Sequence, residues 1–240
     1  MSNSGAPQRV RSGGSGDQLR SFRRRNLKDD LASYIRELVF SAELRPGMRV
    51  DQDAIARVFG TSKLPVREAL IVLESEGLMV NYPNRGSFVA DLTPDDFRDS
   101  YLVVGQVSAI AARRAATRIT DEQLTCMGEL LGRMASADFE VTDASHHEFH
   151  RLVNLAGGSR RLNRVLRMLS NAIPERLHYA ARIPGEELIA EHRVLLKALE
   201  DRDPDLAAGA TLAHFTNGAR HAVDFLSDRG FWDVGALASP

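Results

Sequence analysis

The sequence has almost none of the features that mark extracellular or membrane proteins. Cys126 is the only cysteine among 240 residues, which excludes an intrachain disulfide and a cysteine-based zinc cluster. No apolar run approaches the roughly eighteen residues that a transmembrane helix needs, and the first residues lack the apolar core of a secretory signal. We therefore expect a protein of the reducing cytoplasm that is neither secreted nor membrane-bound.

The chain also lacks a strong net charge. Its 31 Lys and Arg against 32 Asp and Glu give −1, which excludes a uniformly basic protein that coats nucleic acid. The charge is uneven, because residues 1–92 carry 14 basic and 11 acidic side chains, a net +3, whereas the remainder carries 17 and 21, a net −4. Only the N-terminal end is thus suited to meet phosphate. With 43% apolar residues, the length is enough for two domains.

The most informative segment is a helix with a tight turn before it. Ser62 is a good N-cap residue, and Pro65 is tolerated in a first turn, where amides have no intrahelical acceptor, so the helix is expected to start at Lys63. An apolar stripe leaves Ser62, Lys63 and Arg67 together on another side. The stripe consists of Val66, Ala69, Leu70 and Leu73. One side is therefore expected to pack while the other meets a partner.

The flanking segments complete a small domain. A shorter amphipathic helix upstream ends at Gly60, a residue that turns easily, and an earlier amphipathic helix is expected from about 27 to 43. Two short β-like runs flank the turn-forming cluster 83–86. These runs are 78–82 and 87–90. The pattern predicts a winged helix-turn-helix domain over residues 23–91, in which the hairpin is the wing.

This region resembles the GntR family of bacterial repressors, whose usual pattern is close to G-V-S-R-T-P-V-R-E-A-L, then E-G-L and a P-x-R-G-x-x-V wing. Here these segments read GTSKLPVREAL, EGL and PNRGSFV, in that order over about forty residues. The resemblance implies a homodimer that binds a palindromic double-stranded DNA operator, at the nucleoid of the cytoplasm. The DNA-binding residues that it implies are Ser62, Lys63, Leu64, Arg67, Arg85 and Gly86.

Two departures from the family pattern fall on the expected DNA-reading side. The usual Arg-Thr pair is Lys63-Leu64, and a position in the preceding helix that is often Arg is Asp53. Lysine lacks the planar fork of arginine, so the reading of guanine is expected to be less strict geometrically. Leu64 cannot donate a hydrogen bond but can touch a thymine methyl group. We therefore expect an operator unlike the common one of the family.

From Thr93 onward the sequence predicts only helices. Thr93 is a good N-cap, Pro94 suits the first helical position, and the acidic pair after it complements the helix dipole. Helices are expected near 94–117, 121–136, 143–156, 160–182, 185–201 and 204–227. Pro174 should kink or split the fourth.

The predicted fold is mainly α, with the winged domain followed by an all-α bundle of six to seven helices. The remaining parts are a basic tail that is expected to be disordered, since it is rich in Ser, Gly and Arg, and a C-terminal tail. The boundaries are 1–22 for the basic tail, 23–91 for the DNA-binding domain, 92–228 for the effector-binding and dimerisation domain, and 229–240 for the C-terminal tail.

Four histidines of the helical part are placed so that they could meet. His146 and His150 are four apart on one helix and project from one face. His192 and His214 lie on the last two helices, which the break at 203–204 lets pack antiparallel. Four imidazoles, or three with a water or ligand oxygen, suit Zn²⁺, Ni²⁺, Cu²⁺ or Fe²⁺ better than Mg²⁺. On spacing alone, ordinary surface or core histidines remain the alternative.

The segment 191–199, with Asp203, Ala207 and His214 after it, resembles the effector domain of the FadR subfamily of GntR proteins, the FCD domain. So does Phe149-His150. In many members an Asp, the His four residues later and two further His hold a metal beside the ligand cavity. The resemblance carries metal binding to His150, His192 and His214, with His146 at the Asp position. Loss of that negative charge favours Zn²⁺, with Ni²⁺ as the alternative.

The resemblance also implies a small-molecule effector, such as an organic acid. Many members carry Arg-x-x-Leu-Glu on the first effector-domain helix, where this chain reads Gly-Gln-Val-Ser at 105–108, so the arginine that clamps a carboxylate is absent there. Arg113, Arg151 and Arg167 are substitutes, but each is better explained as a solvated or interhelical charge. His147, His178 and His221 are assigned to the surface or to packing.

The leading hypothesis is a ligand-responsive transcription regulator, a repressor, rather than an enzyme. One alternative is a metal-ion sensor, in which the ion itself is the signal. The other is a metalloenzyme whose histidine cluster activates water. That reading lacks a general base, because a zincin needs His-Glu-x-x-His, whereas Glu148 follows His147 and lies off the 146/150 face.

Overall fold

The computed structural model describes residues 27–136, 138–170 and 185–233. It is mainly helical, with a three-helix domain and hairpin followed by a helical domain, so the predicted fold class is confirmed. Within these ranges, no helix combines the length and the apolar character needed to cross a membrane. The predictions for 1–22, for Pro174 and His178, and for 234–240 fall outside the described residues.

The N-terminal domain packs three helices around one apolar core. Its elements are α1 (Leu27–Phe40), α2 (Gln52–Val58), α3 (Lys63–Ser75), β1 (Met79–Tyr82) and β2 (Gly86–Val89). The apolar stripe of α3 is buried as predicted, with Val66 and Leu73 fully enclosed beside Leu31 and Ile35 of α1. The strands pair antiparallel, from Met79 opposite Val89 to Tyr82 opposite Gly86. Burial of one side of α3 leaves its other side at the surface.

Local chemistry sets the ends of the first three helices. Asp51 caps α2 by accepting hydrogen bonds from the amides of Asp53 and Ala54, both at 3.0 Å. Gly60 takes a positive φ of 60°, which lets the chain turn sharply into α3. The helix α3 does begin at Lys63, but the Ser62 side chain makes no capping hydrogen bond, contrary to expectation. The physical reason is that Pro65 occupies the third helical position and has no N–H to donate.

The described part of the helical domain contains six helices. They are α4 (Pro94–Ala115), α5 (Asp121–Arg133), α6 (Phe139–Gly157), α7 (Arg160–Ser170), α8 (Gly185–Glu200) and α9 (Pro204–Asp228). Thr93 caps α4 through a reciprocal pair of bonds with Asp96, and Thr120 caps α5 in the same way with Gln123. The long helices α4 and α9 pack along each other, and α6 and α7 also lie against α4. This arrangement places α6, α8 and α9 around a common interior.

The two domains meet at a cluster of aromatic rings. Phe97 of α4 makes edge-to-face contacts with Phe40 of α1, Phe231 and Trp232. The indole Nε1 of Trp232 donates to the carbonyl oxygen of Leu92 at 2.9 Å, and Phe231 is fully buried. Residues 229–233, which the sequence assigns to a C-terminal tail, thus pack against the junction between the domains.

Candidate functional site

The expected DNA-reading side chains lie on the exposed side of α3. Leu64 has 64% of its surface exposed, and the side chain of Lys63 has 51% exposed. Ser62 and Arg67 are exposed as well. The structure therefore brings Ser62, Lys63, Leu64 and Arg67 to one accessible surface, since the opposite side of the helix is packed.

An open cleft of about 720 Å³ separates α2 and α3 from the hairpin. Its lining carries charges of both signs: Arg49, Lys63 and Arg67 are basic, and Asp51, Asp53 and Glu74 are acidic. A cleft that met phosphate alone would favour basic groups. The mixed lining suits contacts to base edges, which present both donors and acceptors.

Residues of α2 hold the two basic side chains of α3. Lys63 Nζ lies 2.8 Å from Asp53 Oδ1, and Arg67 Nε donates to Gln52 Oε1 at 3.4 Å. Asp53 and Lys63, which the sequence presents as two separate departures from the family pattern, thus form an ion pair that their positions alone did not predict. Opposite charges appearing together at these two positions were the signal that could have indicated the contact.

The wing places its predicted residues at the tip of the hairpin. Gly86 takes a φ of 99°, and a Cβ there would lie 3.3 Å from Arg49 Nε, so a side chain at this position would be strained. The Arg85 guanidinium lies over the Tyr82 ring, 5.7 Å from its centroid. Arg49 is a cleft residue that sequence analysis did not single out, because nothing in its local pattern shows that it lies beside the wing.

The four predicted histidines come together inside the helical domain. His146 and His150 lie on α6, His192 on α8 and His214 on α9. One ring nitrogen from each lies within 4.8 Å of the others. His150 Nε2 is 3.2 Å from His146 Nε2 and 3.2 Å from His192 Nε2. His146, His192 and His214 are buried, and His150 is partly exposed.

Hydrogen bonds on the outer side of the cluster orient two of the rings. His192 Nδ1 lies 2.7 Å from the carbonyl oxygen of Leu188, and His214 Nδ1 lies 2.8 Å from Glu191 Oε2. Because a carbonyl oxygen only accepts, His192 Nδ1 carries the proton, and in the neutral ring its Nε2 presents a lone pair to the cluster. Burial lowers the pKa of His192, which favours the neutral ring.

Glu191 is itself held in place. Asn217 Nδ2 donates to Glu191 Oε1 at 2.6 Å, while the other carboxylate oxygen faces His214. Burial raises the pKa of the Glu191 carboxyl, and the hydrogen bond from Asn217 opposes that shift. This contact places a carboxylate oxygen of Glu191 directly against the His214 ring of the cluster.

The donor set fits a divalent transition metal. Zinc–nitrogen bonds of about 2.0–2.1 Å in a tetrahedron put neighbouring nitrogens roughly 3.3 Å apart. The two His150 distances, both 3.2 Å, are close to that value. Imidazole nitrogens with outward hydrogen bonds to a carbonyl and a carboxylate are the arrangement that Zn²⁺ sites use. The residues that could hold such an ion are thus His146, His150, His192 and His214.

The other histidines in the described residues are engaged elsewhere. His147 Nε2 lies 3.2 Å from Asp143 Oδ1 on the same helix. His221 Nε2 lies 3.2 Å from Glu187 Oε1. Neither belongs to the group of four.

Gly105 stands where many family members carry the arginine that clamps a carboxylate, and here α4 and α9 pack closely together. A Cβ added at Gly105 of α4 would lie 2.8 Å from Phe215 Cβ of α9, so a larger side chain needs the helices to separate. Arg113 instead pairs with Asp205, and Arg151 pairs with Glu148 at 2.5 Å. Arg167 is exposed on α7. The structure therefore brings none of the three candidate arginines into the histidine cluster.

Comparisons with known proteins match each of the two domains to a known family. Residues 27–89 match the model of bacterial regulatory proteins of the gntR family, and residues 100–217 match the FCD domain. The Nta operon transcriptional regulator of Aminobacter aminovorans is 29% identical over 187 residues, covering 74% of this chain and 85% of the relative. The HTH-type transcriptional repressor RspR of Escherichia coli is 26% identical over 200 residues, covering 79% and 86%.

A solved structure has the same fold. Escherichia coli McbR/YncC superposes with a TM-score of 0.62 at 21% identity, covering 85% of this chain and 98% of that one. The two family models together span both domains, and the relatives are transcriptional regulators rather than enzymes. The chain accordingly belongs to the GntR family of DNA-binding transcriptional regulators and carries an FCD effector domain.

Proposed function

We propose that this chain is a homodimeric, ligand-responsive repressor of the FadR subfamily that binds a palindromic operator. The observation that carries the proposal is that an exposed recognition helix and a convergent four-histidine cluster occur on one chain. The first feature can read DNA, and the second can hold a metal beside an effector. The proposed site of action is the nucleoid in the cytoplasm.

The DNA contacts follow from exposure on α3 and on the wing. Lys63 and Arg67 enter the major groove, where they donate to guanine acceptors, and Leu64 touches a thymine methyl group. Ser62 contacts phosphate with the hydroxyl that does not cap the helix. Arg85 and Gly86 approach the backbone or the minor groove. A symmetric dimer doubles these contacts over two half-sites.

The proposed metal is Zn²⁺, or alternatively Ni²⁺, held by His146, His150, His192 and His214. Its chemical contribution is a positive charge that can hold an oxygen of an anionic metabolite. Within the described residues, Arg113 and Arg151 pair with carboxylates elsewhere and Arg167 is exposed, so none of these three arginines supplies a positive charge for a carboxylate effector at the cluster. RspR, one relative, is named a repressor, which supports the assigned direction of control.

One observation favours a second function, the sensing of a metal ion. If all four imidazoles bound one ion, they would complete a four-ligand set, which is typical of closed sites without room for a ligand oxygen. In that case the ion itself would be the signal. The partial exposure of His150 favours the effector model, because a partly exposed ligand can give way to another donor.

Metal analysis and DNA selection on the purified full chain test the proposal. The wild-type protein is expected to select a palindrome from a random duplex library and to contain bound Zn²⁺ or Ni²⁺. If a panel of organic acids releases the selected DNA while metal stays bound, the effector model is supported. Release by a chelator alone supports the metal sensor. Failure to select any palindrome would contradict the repressor model altogether.

A further inference from the structure

We propose that Asp53 and Lys63 read one G·C base pair as a unit, with Lys63 donating to guanine and Asp53 accepting from the cytosine amino group. This inference rests on the proposed function, since it requires that α3 enters the major groove. It assigns to Asp53 a direct role in base recognition, at a position that is often arginine in the family pattern.

The two side chains form a compact donor–acceptor pair at the mouth of the cleft. Lys63 Nζ and Asp53 Oδ1 are 2.8 Å apart, and the two side chains are 51% and 61% exposed. The ammonium has three donor hydrogens and the carboxylate several acceptor sites, so one mutual contact leaves capacity on both groups. The pair can therefore keep its internal contact while each member also bonds to a base.

The major-groove edge of a G·C pair complements this arrangement. Guanine presents two neighbouring acceptors, N7 and O6, and cytosine presents the N4 amino donor beside them. Lysine pairs with the guanine acceptors, and aspartate accepts from cytosine N4. A cation and a carboxylate side by side thus match the acceptor, acceptor, donor order of this edge. An A·T pair places a donor between two acceptors and matches the pair less well.

Other roles explain the Asp53 carboxylate less well. An exposed ion pair contributes little to folding, so stability does not account for it. A negative charge on a surface that approaches phosphate weakens DNA binding, so general affinity does not account for it either. In base recognition, by contrast, a carboxylate can accept a hydrogen bond from the cytosine amino group, which a basic side chain cannot do.

The neighbouring carboxylates of the cleft have structural contacts instead. Asp51 accepts from two backbone amides as the cap of α2. Glu74 accepts from the amide of Asn81 on the wing at 3.3 Å. The Asp53 side chain pairs with Lys63 rather than with the helix end or the wing. Among these three acids, Asp53 is the one placed to act on DNA.

Selection of DNA from a random duplex library tests the inference in the full-length protein. Wild type is expected to prefer one symmetric pair of G·C positions, and Asp53→Ala should reduce that preference by roughly five- to a hundred-fold. Lys63→Ala should relax the same two positions. Asp53→Asn, which keeps the shape and removes the charge, should shift the preference away from cytosine. Asp29→Asn removes an equal charge from α1, away from the cleft, and should leave the motif unchanged.

Three results overturn the inference. The first is that Asp53→Ala keeps the wild-type base ratios and binds every sequence more tightly, since Asp53 would then only weaken the attraction to phosphate. Relaxation of different positions by the two alanine variants would show that they do not act as a unit. If Asp53→Asn selects the same bases as wild type, the negative charge of Asp53 plays no part in base recognition. If wild type itself selects no motif, the repressor proposal fails first, which is a separate outcome.

Discussion

The cleft at α3 and the histidine cluster differ in how far their polar side chains are exposed to solvent. Lys63 and Asp53 are more than half exposed and remain solvated until a partner displaces water. His146, His192 and His214 are at most 3% exposed, and two of the four rings are held by outward hydrogen bonds. A surface that reads varied sequences keeps its groups accessible and adjustable. A buried site needs its groups oriented in advance, because unsatisfied polar atoms in the interior are costly.

One helix links the two regions. His214 lies on α9, and the chain continues from that helix into Phe231 and Trp232 at the junction of the domains. Trp232 bonds to Leu92, which stands between the wing and α4. The backbone therefore runs without interruption from the histidine cluster along α9 to the segment that packs at the junction of the domains.

The largest expected effect is the loss of bound metal from the buried histidine cluster. His192→Ala removes a fully enclosed ring that faces His150, and the purified variant is expected to lose its bound metal. Elemental analysis of the purified protein measures this. His221→Ala is the control, since His221 pairs with Glu187 outside the cluster and should keep the metal. Retention of wild-type metal content by the His192 variant would contradict the proposed ligand set.

On the exposed side, Arg67→Ala removes a proposed base contact without disturbing the core. The expected loss of operator affinity is roughly 1 to 3 kcal/mol for each half-site. Gel shifts at matched salt measure it, and bound metal should be unchanged. Arg193→Ala, on the exposed side of α8, removes the same charge from the other domain and should bind DNA like wild type. Equal operator affinity for the Arg67 variant and wild type would contradict the assignment of Arg67 as a base contact.

A smaller effect is expected from the hydrogen bond behind the cluster. Glu191→Gln keeps the size of the side chain but weakens the bond to His214, and metal affinity should fall by about 10- to 100-fold. Competition with a chelator gives the affinity. Glu187→Gln on the same helix contacts Arg220 and His221 instead, and it serves as the matched control. Identical metal affinities for the two variants would show that Glu191 does not orient a ligand.

The smallest expected effect is a difference in stability between variants at the N-termini of α3 and α4. Thr93→Ala removes a capping hydrogen bond and should cost about 1 kcal/mol in the free energy of unfolding. Ser62→Ala removes none and should cost less than about 0.5 kcal/mol, while still weakening DNA binding if the hydroxyl meets phosphate. Urea unfolding and gel shifts give the two readouts. A larger loss of stability for Ser62→Ala than for Thr93→Ala would contradict the structural comparison.

Local sequence signals predicted the elements well because they act over one or two turns. The start of α3 at Lys63 and the break between α8 and α9 at Asp203 follow from capping residues and prolines. The meeting of the four histidines was also predicted, since two share a helical face and two lie on antiparallel helices. By contrast, the prediction that the Ser62 side chain caps α3 was wrong, because Pro65 removes the usual donor amide.

Contacts between distant segments were beyond these signals. The sequence by itself determined the helix-turn-helix, the wing and the residue types of both sites, because periodicity, capping and imidazole chemistry are local properties. The tertiary structure alone decided that Asp53 pairs with Lys63, that Arg49 lies beside Gly86, and that Phe231 closes the junction of the domains. The physical reason is that each contact depends on how separate helices and strands pack, which no local pattern encodes.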